Sequence, residues 1–165
     1  MVESNLTLER LKELFSYEPS VGEFVRRSAC PGRRCHAGAV AGARNHKGHI
    51  YITIDGRKYA AHRLAWLYMC GSWPDGVIDH VNGVKDDNRI SNLRDVDGCV
   101  NQQNRRAANN SSRTGVLGVY KAKNRYVSVI SINGKAKRLG SFLTIDEAHR
   151  AYIEAKRVNH DGCTI

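Results

Sequence analysis

The chain has 165 residues, 41% of them hydrophobic, so it can bury the core of one domain or of two small ones. No apolar run approaches the roughly 20 residues of a membrane helix, and MVESNLTLER lacks the basic-then-apolar order of a secretory signal. Five irregularly spaced Cys suit reduced thiols in a cytoplasmic, intracellular setting, and 26 Lys/Arg against 16 Asp/Glu, net +10, favour a nucleic-acid partner over a membrane surface.

Residues 6–15, LTLERLKELF, read as a short helix with Leu8, Leu11, Leu14 and Phe15 on one side. Thr7 suits its N-cap, and Leu6 and Leu11 a hydrophobic staple. EFVR at 23–26 reads as a strand, and residues 28–37 as an irregular loop. Cys30, Cys35 and His36 in that loop suggest a metal at first sight, but there is no second ligand pair for a four-ligand zinc site. HIYITIDGRKYAAH is a hairpin pattern with Asp55-Gly56 as a type I′ turn. AHRLAWLYMC at 61–70 reads as a helix burying Ala61, Leu64, Ala65 and Tyr68, with Gly71 as its C-cap. His62 is expected to pack on that helix. For Arg63 a phosphate contact and a structural ion pair both stand open.

Residues 77–104, VIDHVNGVKDDNRISNLRDVDGCVNQQN, hold five Asn and few large apolar residues. Val77-Ile78 leads a strand into Asp79-His80, Leu93–Val96 forms a second strand, and Asp97 can cap a helix carrying Val100, Asn101 and Asn104. Folding back would bring Asp79 near Asn101. A carboxylate and an amide oxygen with open positions suit Mg²⁺ or Mn²⁺ and suit Zn²⁺ poorly. His80 could then take a proton from water, with the Asn92 oxygen fixing its other ring nitrogen. Asn92 could instead only close the loop, and Asn88 or Asn104 could stand in its place or in that of Asn101.

This constellation resembles the HNH endonucleases, whose site is the ββα-metal fold, and in particular a phage-encoded branch often found as homing endonucleases. The carriers are HRLAW, the Gly-x-Trp-Pro turn, IDHVNG and DNR-x-SNLR. The resemblance implies Asp79 and Asn101 as metal ligands, His80 as general base and Asn92 as the residue that orients it. The last H of the family name is Asn101 here. It also implies hydrolysis of a phosphodiester bond to 5′-phosphate and 3′-hydroxyl ends. Arg105 and Arg106, just past the expected helix, could hold the DNA strand.

AANNSSRT at 107–114 reads as a linker. GVLGVY, RYVSVISI and KRLGSF then read as three short strands with an Asn133-Gly134 turn, followed by a helix over 144–158 opened by the capping box Thr144–Glu147. Residues 115–160 resemble the plant ethylene-response-factor (APETALA-type) DNA-binding domain, whose free sheet face enters the major groove. The resemblance implies a DNA face with Tyr120, Val127, Val129, Ser131 and Arg138, and Lys121, Lys123, Arg125, Lys135 and Lys137 in or beside the turns. Val and Ser cannot make the bidentate guanine contact of Arg, so backbone grip should exceed base reading.

The expected architecture is α+β: an HNH ββα-metal nuclease unit over 1–106, a linker over 107–114 and a βββα DNA-binding unit over 115–165. The expected function is a metal-dependent DNA endonuclease, a homing-type nicking or cleaving enzyme acting on double-stranded DNA. A monomer suits nicking, and a dimer suits cutting both strands. Two rivals are a non-catalytic DNA-binding regulator on an HNH fold and a binder of structured RNA.

Overall fold

The computed structural model describes residues 6–29, 36–98, 103, 107–109, 111–160 and 163. The fold is mixed α and β, in two compact units, Met1–Asp97 and Gly98–Ile165. The expected boundary at residue 106 lies outside the described residues, as do Cys30 and Cys35.

In the first unit, α1 (Leu8–Leu14) starts where Thr7 accepts a hydrogen bond from the Arg10 N–H at 3.2 Å. The helix is shorter than expected. Phe15 is extended and opens strand β1 (Phe15–Glu18), which pairs antiparallel with β2 (Glu23–Arg26). Tertiary packing decides this against the helical phase: the Phe15 ring meets that of Phe24 edge-on at 6.3 Å, and both are almost fully buried. Strand β3 (Val40–Ala41) extends this sheet.

A second sheet holds β4 (Ala43–Arg44), β5 (Ile50–Ile54) and β6 (Arg57–Ala60). Asp55 and Gly56 both have positive φ, 48° and 78°, as a type I′ turn requires. Helix α2 (Ala61–Cys70) follows directly and ends at Gly71, whose left-handed φ of 82° allows its N–H to reach the Leu67 carbonyl at 3.0 Å. Ala61, Leu64, Ala65 and Leu67 are buried on α2, and Tyr68 is half-buried. One core joins Leu6, Leu11, Phe15, Tyr17, Phe24, Ile52, Ile54, Leu64, Ile78 and Leu93. Ile78 and Leu93 belong to β7 (Val77–His80) and β8 (Leu93–Val96), a two-stranded ribbon whose apolar side is thereby fixed inward.

The second unit is a three-stranded antiparallel sheet, β9 (Val119–Ala122), β10 (Arg125–Ile132) and β11 (Lys135–Phe142), in the order β11-β10-β9, covered by α3 (Ile145–Asn159). Both bonds of the Thr144–Glu147 capping box form. Tyr152 of α3 lies against Gly118, where an added Cβ would sit 2.0 Å from the ring. Between the pairs Ser128–Gly140 and Val129–Arg138 the register shifts, leaving Leu139 of β11 as the extra residue. Ser128 and Ile130 are buried as expected, but so is Val127, at 3% exposure. Val127 therefore does not belong to an open face. The stretch read as a linker is tied to this unit: Thr114 Oγ1 donates to the Val119 carbonyl at 2.7 Å. Ala108, Asn109, Ser111 and Ser112 line a cleft with Val119, Tyr120 and Val129.

Candidate active site

The β7–β8 ribbon sets the site. Its antiparallel register pairs Asp79 with Arg94 and His80 with Leu93. Residues facing each other across such a pair are within side-chain reach. Arg94 uses this, donating from Nε at 3.0 Å and from Nη2 at 2.7 Å to one Asp79 oxygen, Oδ2. The carboxylate is buried and held by a charge-assisted pair.

The loop from Val81 to Asn92 is closed by polar bonds in place of apolar packing. Asn92 accepts the Asn82 N–H on Oδ1 at 2.9 Å and donates from Nδ2 to the Asp87 carbonyl at 2.8 Å. Asn82 donates in turn to Asp87 Oδ2 at 2.7 Å and accepts the Val84 N–H at 2.8 Å. The Asp87 carboxylate also takes two bonds from Arg89, at 2.7 and 2.6 Å. The Arg89 guanidinium holds Asp87 down to about 2, with Asn82 adding to the effect. Asn82 and Asn92 thus close the loop with side-chain-to-backbone bonds where a hydrophobic core is missing.

His80 sits at the end of β7, where its Nε2 lies 3.2 Å from Asn88 Oδ1. Both amide ends of Asn92, expected to orient this ring, go to the loop backbone instead. Asn88, the alternative, meets the imidazole, and it is 2% exposed. Two further rings surround His80. His62 of α2 is edge-on to it at 5.2 Å between centroids, and His49 lies 6.0 Å from it and 5.5 Å from His62. Burial, then the neighbouring His80, His49 and Arg63, push His62 down to about 3. His49 is also lowered, by burial first and then by Lys85, His80 and Lys47. Lys85 Nζ donates to the Lys47 carbonyl at 3.1 Å, joining the 44–49 turn to the 81–92 loop.

His62 does pack on α2, but against the site. Arg63 donates to the Gly76 carbonyl at 3.1 Å and lies over the Trp73 ring at 5.9 Å. Both contacts anchor the turn before β7. Asn101, Asn104, Arg105 and Arg106 lie outside the described residues. In the second unit Tyr120, Lys121, Lys123, Arg125, Lys135, Lys137 and Arg138 are all exposed on the strands and turns of one sheet. Arg125 also donates to the Ser141 carbonyl at 3.0 Å. Sequence reasoning missed His49, Lys47, Lys85 and Arg94 beside His80 and Asp79. Only the Arg94 position carried a signal, through the strand register opposite Asp79.

The family model described as HNH endonuclease matches residues 59–106, a segment that contains Asp79, His80, Asn88 and Asn92. The DNA endonuclease I-HmuI of Bacillus phage SP01 is 32% identical over 98 residues, 58% of this chain and 56% of that protein. The chain thus spans about half the length of the curated relative it matches. No solved structure matches it significantly.

Proposed function

We propose that the chain is a DNA endonuclease that hydrolyses phosphodiester bonds, with His80 as the general base. The observation that carries this reading is the β7–β8 ribbon. It holds the Asp79 carboxylate and the His80 imidazole on consecutive residues above a tightly bonded loop, within the segment that matches the HNH endonuclease family.

In this reading His80 accepts a proton from the attacking water as the oxygen bonds to phosphorus and the bond to the leaving 3′ oxygen breaks. The rings of His62 and His49 pack beside the imidazole. Lys47 and Lys85 stand at the rim, where phosphates flanking the scissile one would lie.

Asp79 fits a hard divalent cation, Mg²⁺ or Mn²⁺, because it offers a carboxylate oxygen that Arg94 holds in one orientation. Asn101 is the proposed second oxygen donor. A Mg²⁺ ion typically takes one or two protein carboxylates and completes its shell with water and phosphate oxygens. When bound, such an ion stabilises the charge that develops on the phosphoryl group and the leaving oxygen.

The exposed Lys and Arg of the second unit supply a sequence-independent grip on the DNA backbone. Linking the two units raises the effective concentration of DNA at the site. One active site per chain makes nicking the monomer's natural outcome, as for a homing-type nicking enzyme. Incubation with supercoiled plasmid tests the reading: nicked circles should form with Mg²⁺ and not with EDTA. DNA binding without nicking in either Mg²⁺ or Mn²⁺ would favour the regulator.

A further inference from the structure

We propose that the N-terminal hairpin β1–β2 is a positioning element for His80, acting through Asn88 to hold the imidazole as its Nε2–H tautomer with Nδ1 as the reacting nitrogen. The inference rests on the reading of His80 as the base. The hairpin lies outside residues 59–106, the segment that matches the HNH endonuclease family.

The starting point is the amide. Asn88 Oδ1 can only accept a hydrogen bond. The ring nitrogen facing it, Nε2 at 3.2 Å, must therefore carry the proton. Nδ1 then keeps its lone pair, which is what a base needs, and the bond on one ring nitrogen fixes the role of the other.

Asn88 is itself held from behind. The Tyr17 hydroxyl of β1 donates to the Asn88 carbonyl at 2.6 Å. Burial pushes the Tyr17 phenol up to about 12, so it remains a donor across the neutral range. Its ring is fixed between Phe24 at 4.9 Å and Tyr68 at 5.8 Å. A second contact comes from the turn between β1 and β2. Gly22 has φ +82°, and an added Cβ there would lie 2.4 Å from the Arg89 nitrogen and 2.5 Å from the Asn88 carbonyl carbon. Only glycine permits so close an approach with that backbone. Tyr17 and Gly22 thus grip the two sides of the Asn88–Arg89 peptide, while the Asn88 side chain reaches the ring. The hairpin's own fold is fixed by the main core, through Phe15, Tyr17 and Phe24. The position of the base is then set by an element distant in sequence from the strand that carries it.

The test uses the full chain with ¹⁵N-labelled histidine and no DNA. Ring nitrogen–proton correlations, with His80 assigned by its loss in His80→Gln, should show Nε2 protonated at pH 7.5. In Asn88→Leu the ring should become a mixture of tautomers, and Asn88→Asp, which keeps an acceptor oxygen, should restore the Nε2–H form. In plasmid nicking, Asn88→Leu should lower kcat on the order of 10²-fold, the low end of what a general base contributes, with KM within a few-fold. Asn88→Asp should recover most of this. Tyr17→Phe keeps the packed ring and removes only the donor, so it guards against a variant that fails to fold. It should lower kcat several-fold at unchanged KM.

An Nδ1–H ring in the unaltered chain would mean that the Asn88 amide faces the other way, and it overturns the proposal whatever the nuclease does. So does an Asn88→Leu chain that keeps both the Nε2–H ring and the original kcat. If the chain cuts no DNA yet the tautomer still follows Asn88, the endonuclease reading fails and the positioning stands.

Discussion

Replacing Asn92 with Ala separates two roles that this residue could have. In the structure its amide makes two bonds, accepting from the Asn82 N–H at 2.9 Å and donating to the Asp87 carbonyl at 2.8 Å. The truncation leaves that donor and that acceptor without their partner in a part-buried loop. An unsatisfied buried polar group costs about 1–3 kcal/mol. Partial exposure puts each near the lower end, so the expected loss is about 2–3 kcal/mol. For a domain near 100 residues each kcal/mol shifts Tm by about 4–8 °C, so the melt of the first unit should fall by about 10 °C or more. Urea titration followed by tryptophan fluorescence reports this unit alone, because Trp66 and Trp73 both lie within it. At a temperature where the variant is still folded, cutting should drop less than in Asn88→Leu. An Asn92→Ala chain with unchanged urea midpoint and no cutting would refute the loop-closing role and return Asn92 to the imidazole.

The half-buried His62 makes stability depend on pH with a definite sign. His62 is lowered to about 3 in the folded chain, whereas an unfolded His titrates near 6.5. Between those values the unfolded state binds the extra proton, so stability is full above about pH 6.5 and falls as pH falls. At pH 5 the cost from this group is about 2 kcal/mol, measurable as a shift in urea midpoint relative to pH 7.5, and His62→Phe should remove most of that shift. On the second unit, changing Lys121, Lys123 and Lys137 together to Ala should weaken DNA binding and reduce the slope of log K against log salt. The slope should fall by about 0.9 for each phosphate that the variant no longer neutralises. An unchanged slope would mean that these side chains do not touch the backbone.

Much of the fold was legible because the signal was local. Asp55-Gly56 between β-rich runs, Gly71 after an apolar stripe and Thr144 ahead of Glu147 each state their geometry within four residues, and the structure builds all three. The β7–β8 ribbon was readable from Val77–His80 and Leu93–Val96. Phe15 misleads because its spacing continues the helical face of Leu8 and Leu11, while its energy comes from Phe24 across a hairpin. Val127 misleads because strand alternation assigns a side chain to a face but does not say whether that face is covered, and here Val127 is buried. The environment of His80 was the least legible part. Asn88 and Asn92 have the same side chain four residues apart, and only the folded loop decides which amide meets the ring. Tyr17, which bonds the Asn88 carbonyl, is 71 residues away with no local cue, and His49 and His62 come from a strand end and a helix in another part of the unit.

The proposed cutting depends on the imidazole at the end of β7 removing a proton from water beside a phosphodiester. The most direct measurement is the single-turnover cutting rate of His80→Ala on supercoiled plasmid in Mg²⁺, read alongside its affinity for the same DNA. The rate should fall by about 10²–10⁴-fold, with affinity within a few-fold of the unaltered chain. A His80→Ala chain that cuts at the original rate would contradict this dependence.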